Sequence, residues 1–116
     1  MFIFVRVVSL LLLVMCVSAA QAVSFDCQKA KTFIEKAICQ NPDLSDLDDE
    51  LGSQFQLALT DNKNPDLFKK QQLAWLKQRN TCQTVECVKK SYKQRIAILT
   101  RYNNTPANFK SDKGGE

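Results

Sequence analysis

The chain has 116 residues, 16 Lys/Arg against 12 Asp/Glu, five cysteines and no histidine. Without histidine, Ser-His and Cys-His nucleophiles are excluded and the commonest metal ligand is missing. The net charge of +4 conceals two opposed halves: residues 23–62 carry three basic and eight acidic side chains, and residues 63–116 carry twelve and four.

Residues 1–22 have the parts of a secretory signal. Arg6 supplies the positive n-region, an apolar run of about ten residues follows, and Ala20-Gln21-Ala22 is a small-x-small cleavage site. The run is short for a membrane span, which takes about 20 apolar residues. Leu13-Val14-Met15-Cys16 has the outline of a lipid-attachment site, but Met15 stands where a small residue is expected. Cys16 is therefore read as lost with the signal. Cleavage before Val23 leaves a periplasmic or secreted chain of about 94 residues, enough for one domain with one modest core. A chain of that size gains much from staples. Export takes it where thiols oxidise, so Cys27, Cys39, Cys82 and Cys87 read as a disulfide framework.

Thr32-Phe33-Ile34-Glu35 matches a capping box, with the Thr32 hydroxyl serving the N–H three residues on and Glu35 reaching back to the Thr32 N–H. The first helix then has Phe33, Ile34, Ala37 and Ile38 on one side. It ends near Cys39, because Pro42 disfavours αR geometry at Asn41. A second helix, from about residue 43, sets Leu44, Leu47, Leu51, Phe55 and Ala58 in one stripe. Asp46, Asp48, Asp49 and Glu50 complement its N-terminal dipole. Gly52 weakens it and suggests a close neighbour. Residues 61–65 form a turn, in which Asn64 caps the third helix and Pro65 opens it. Phe68, Gln72, Trp75, Arg79 and Cys82 follow at helical spacing, with Leu73 and Leu76 broadening the stripe. Thr84 caps a fourth helix lined by Val88, Tyr92, Ile96 and Leu99, with Arg95 and Ile98 alongside and Lys89, Lys90 and Lys93 on the wet side. Residues 102–116 lose this periodicity and read as a disordered tail. The expected fold class is all-α: a small disulfide-stapled bundle of about four helices, spanning residues 23–101.

Four cysteines allow three pairings. Cys82 and Cys87 flank a reversal of the chain, which brings two α-carbons within about 6 Å. Cys27 and Cys39 bracket the first helix. Five extended residues reach roughly 16 Å, enough to run back along a helix of about 12 Å. Local geometry thus favours Cys27–Cys39 and Cys82–Cys87, and crossed pairings stay open at this level. The spacings lack the C-x2-C knuckles of a zinc site and the C-x-x-C of a redox pair, so neither metal nor other cofactor is expected. Asp46 and Glu50 are the carboxylate pair to weigh for glycoside chemistry. Their place on an exposed first turn favours the dipole role, and no catalytic residue is assigned. The lysines are interleaved in helical patterns as a solvated face, so nucleic acid is not an expected partner.

Phe25-Asp26-Cys27, Ala30-Lys31-Thr32, Glu35-Lys36-Ala37-Ile38-Cys39, Leu44, Leu47-Asp48 and Glu50-Leu51 resemble the opening of the LprI-like lysozyme-inhibitor N-terminal domain family. Gln72, Ala74-Trp75-Leu76, Arg79-Asn80, Cys82, Cys87, Tyr92, Arg95-Ile96 and Leu99 continue the likeness, which covers residues 25–99. The resemblance implies a small exported helical domain with Asp48, Trp75, Arg79, Tyr92 and Arg95 on matched positions. Trp75 and Tyr92 are expected in the core. Asp48 is expected to pair with Arg79 or Arg95 and fix helix register, with direct ligand contact as the second role for all five. The resemblance further implies a non-catalytic protein that binds and inhibits lysozyme-type cell-wall lytic enzymes. The alternative is an envelope interaction or immunity-type module for another exported protein. The family's namesake is lipid-anchored, whereas this chain reads as unanchored. Asp43, Asp46, Asp49 and Glu50 form a candidate acidic interaction face that would steer a basic enzyme; the other route is a basic side chain set against the enzyme's catalytic carboxylates.

Overall fold

Asn41 divides two helices. Held out of helical geometry by Pro42, with φ −110° and ψ 112°, it ends α1 (Phe33–Gln40) and begins α2 (Pro42–Thr60). The computed structural model describes residues 25–110. The signal segment, Cys16 and residues 111–116 of the expected tail lie outside the described residues. Two further helices follow, α3 (Pro65–Arg79) and α4 (Val85–Asn104), with short 3-10 turns at Cys27–Lys29 and Ala107–Phe109. The described residues contain no strand, and the fold is all-α, as the periodicity indicates. None of these helices is long and apolar enough to cross a membrane.

Local side chains satisfy the helix ends. Thr32 Oγ1 accepts from the Glu35 N–H, Asn64 Oδ1 from Leu67 and Thr84 Oγ1 from Cys87, at 3.1–3.2 Å. The capping box is shifted by one residue: Glu35 Oε2 accepts from the Lys31 N–H at 2.7 Å, one donor earlier than the sequence pattern suggests. At the α1–α2 corner, Ser45 Oγ donates to the Ile38 carbonyl, and the Ala37 carbonyl accepts from both the backbone N–H and the Nδ2 of Asn41.

The order of cross-contacts gives the topology. Asp43 meets Lys89, Asp48 meets Tyr92 and Gln54 meets Asn103, so α2 and α4 run parallel. Phe68 meets Tyr102, Gln72 meets Arg95 and Arg79 meets Tyr92, so α3 runs antiparallel to α4. Leu44, Leu51 and Ala58 of α2, Phe68 and Trp75 of α3, and Val88, Tyr92, Ile96, Leu99 and Tyr102 of α4 form the core, which Ile34, Ala37 and Ile38 of α1 extend. Disulfides join Cys27 to Cys39 and Cys82 to Cys87, with α-carbons 5.8 and 5.5 Å apart. These are the two local pairings.

Three expectations change. A Cβ on Gly52 would meet nothing within 4 Å, so this glycine permits no close approach. Phe33 and Leu73 are exposed, not part of the inner stripes. The helical domain does not stop at residue 101. Tyr102 is buried, Asn103 Nδ2 donates to Gln54 Oε1 at 2.7 Å, and Lys110 folds back to put its ammonium 3.2 Å from Asp61 and 4.9 Å from the Tyr102 ring centre. Polar anchors of this kind leave no hydrophobic period in the sequence, so the segment reads as a tail.

Candidate functional site

Asp48, Arg79 and Tyr92 come from three different helices and meet at one oxygen. The Tyr92 hydroxyl donates to Asp48 Oδ1 at 2.7 Å and accepts from Arg79 Nη1 at 2.9 Å. Arg79 also donates from Nε and Nη2 to Asn80 Oδ1, at 3.2 and 2.9 Å. Its guanidinium lies 5.5 Å from the Trp75 ring centre and 5.8 Å from that of Tyr92. Trp75 and Tyr92 meet edge to face at 5.2 Å, and the indole N–H donates to the Ser91 carbonyl at 3.2 Å. Burial pushes the Tyr92 phenol above its ordinary range; Asp48 acts in the same direction and the Arg79 charge opposes both. The Tyr92 hydroxyl thus links Asp48 to Arg79. Asn80, whose amide oxygen takes both arms of the Arg79 fork, stands beside Arg79 in the resemblance but is given no role there.

Arg95 is held separately. It is 5% exposed, donates from Nε to Gln72 Oε1 at 2.9 Å and lies 5.7 Å from the Phe68 ring centre. Burial lowers its pKa from the ordinary arginine value. Its Nη2 is buried and makes no hydrogen bond among the described residues. Arg95 and Trp75 line a groove of about 560 Å³ between α3 and α4, whose polar lining is otherwise Gln71, Gln78, Ser91 and Gln94. Among the described residues, no carboxylate lines it. Those four residues were not singled out from the sequence. Gln71, Ala74 and Gln78 on α3 and Ser91, Gln94 and Ile98 on α4 are uncharged residues at helical spacing, which mark no groove until the two helices lie side by side.

The acidic candidates are all exposed, but they do not form a uniform negative face. Asp43 pairs with Lys89 at 3.2 Å. Asp46 and Glu50 share a shallow depression with Asp43, Lys89 and Lys93, and Asp49 lies outside it. The parallel packing of α2 on α4 makes this a mixed-charge seam. Among the described residues, no group of three or more His, Cys, Asp or Glu side chains is placed to hold a metal.

Among the described residues, four helices and two bridges define a small disulfide-stapled all-α unit, a construction suited to an oxidising compartment. Compared with family models, curated proteins and solved structures, the chain matches none.

Proposed function

We propose that this is an exported, non-catalytic binding protein of the LprI-like kind whose target is a lysozyme-type cell-wall lytic enzyme. The observation that carries this reading is where the residues of the resemblance lie. Asp48, Trp75, Arg79, Tyr92 and Arg95 are all buried and engaged with neighbouring helices. They serve a rigid frame, and a rigid frame lowers the entropy cost of binding through the outer helix faces. With the acidic seam partly neutralised by Lys89, the better element for a cleft lined by catalytic carboxylates is the exposed pair Lys90 and Lys93 on α4.

The test is clearing of cell-wall suspensions by several lysozyme types in the presence of micromolar purified, oxidised protein. Inhibition abolished by Lys90→Glu with Lys93→Glu, and spared by Asp46→Lys with Glu50→Lys, supports the reading and its geometry. No inhibition of any type removes lysozyme as the target. The Asp43–Lys89 pairing favours a second reading, a module for a different exported protein, because it weakens steering toward a basic enzyme. Affinity capture from envelope extract that recovers one non-lytic protein would favour that alternative.

A further inference from the structure

We infer that the groove between α3 and α4 is a binding site for a small carboxylate ligand that also carries amide or hydroxyl groups, with Arg95 as the anion anchor. A guanidinium is rarely taken out of water without an acid beside it, because the desolvation is costly unless the charge is paired. Arg95 is 5% exposed, and its one hydrogen bond among the described residues goes to a neutral amide. Its buried Nη2 retains an unused donor. A carboxylate in the groove would supply the missing opposite charge beside Arg95, a pairing for which the guanidinium is suited. Burial lowers the Arg95 pKa, the direction in which desolvation moves a cation.

The rest of the groove defines what accompanies the carboxylate. Gln78 and Gln94 each carry an amide, a group that both donates and accepts, and Ser91 adds a hydroxyl. They match secondary amides and sugar hydroxyls. Trp75 gives an aromatic wall whose orientation is fixed by its bond to the Ser91 carbonyl. The volume of about 560 Å³ lies within the ordinary range for small-ligand sites. The site is also preorganised. Arg95 is set by Gln72 and Phe68, and the Cys82–Cys87 bridge ties α3 to α4 at the end of their hairpin. Two sources share this chemistry, a short peptide with a free C-terminus and a sugar acid.

Trp75 is the only tryptophan of the chain, so its fluorescence reports on the groove directly. The oxidised protein is titrated with N-acetyl-alanyl-alanine and with glucuronic acid, each beside its uncharged carboxamide. Saturable quenching or enhancement by an acid, weakened about 10-fold or more in its carboxamide, is the expected result. Response to the dipeptide alone identifies the peptide source, and response to glucuronate alone the sugar source. Gln78→Ala and Gln94→Ala, both at exposed positions, should weaken binding several-fold with the thermal midpoint unchanged. Arg95→Lys should weaken it about 10-fold or more, because a lysine lacks the planar fork. Equal affinity for acid and carboxamide overturns the inference. So does the absence of saturable response to either acid up to about ten millimolar. Neither outcome bears on lysozyme inhibition, which is read from a different surface.

Discussion

Tyr92 joins three helices through one oxygen, and the consequences can be measured residue by residue. Its hydroxyl is buried between a donor on α3 and an acceptor on α2. Tyr92→Phe keeps the ring and its edge contact with Trp75 but strips both partners, which should cost about 1–3 kcal/mol in urea denaturation with the helical signal retained. A pH dependence accompanies this. The phenol is held above its ordinary value in the folded protein, while in the unfolded chain it titrates at about 10. Below that pH both states are protonated, and the stabilisation is fully present. Above it the unfolded chain releases a proton that the folded chain keeps, so stability falls as pH rises toward the folded-state value. Between about pH 9 and pH 11, the wild type should therefore lose more unfolding free energy than Tyr92→Phe. Equal losses would mean that Tyr92 ionises as readily in the folded state.

At the scale of the helix, α2 carries an avoidable weakness. Gly52 lies within its 19 residues, and the site has room for a Cβ. Gly52→Ala should raise stability by about 0.5–1 kcal/mol, through helix propensity and a less flexible unfolded chain. A loss in thermal melting would point to a contact that the open surroundings do not indicate. Leu73 makes the complementary case. At 58% exposure, and about 200° round the helix from Trp75, Leu73→Gln should change stability by less than about 0.5 kcal/mol. Caps and turns such as Thr32, Asn64-Pro65 and Thr84 were legible in the sequence because their chemistry is local. The buried face of α3 was only partly legible. Leu73 and Leu76 both fit an apolar stripe, and only the antiparallel seat on α4 decides that Leu76 turns inward. For the same reason the groove escaped notice: glutamines are ordinary on a helix surface until a second helix brings Ser91 and Arg95 opposite them.

For the molecule as a whole, the opposed charges of its halves become register. The acidic α2 lies parallel to the basic α4, and Asp43–Lys89 and Asp61–Lys110 cross between the halves. Their carboxylates are largely exposed, so each pair is worth at most about 1 kcal/mol and less in salt. Cohesion must come from the core and from the two bridges, which act differently. Cys27–Cys39 closes a separation of 12 residues and pins the leading segment to α1; Cys82–Cys87 closes one of 5 at the α3–α4 hairpin. Loop-closure entropy assigns about 3 kcal/mol to the first and about 2 kcal/mol to the second. Replacing Cys27 and Cys39 by Ser should therefore lower unfolding free energy more than replacing Cys82 and Cys87. The second replacement removes a tie between the walls of the groove, so its signature should be local: faster amide exchange at residues 80–88, and a change in Trp75 emission before global unfolding. If the hairpin bridge proved the costlier to lose, the α3–α4 pairing would depend on covalent closure more than on the Trp75, Tyr92 and Phe68 contacts that span it.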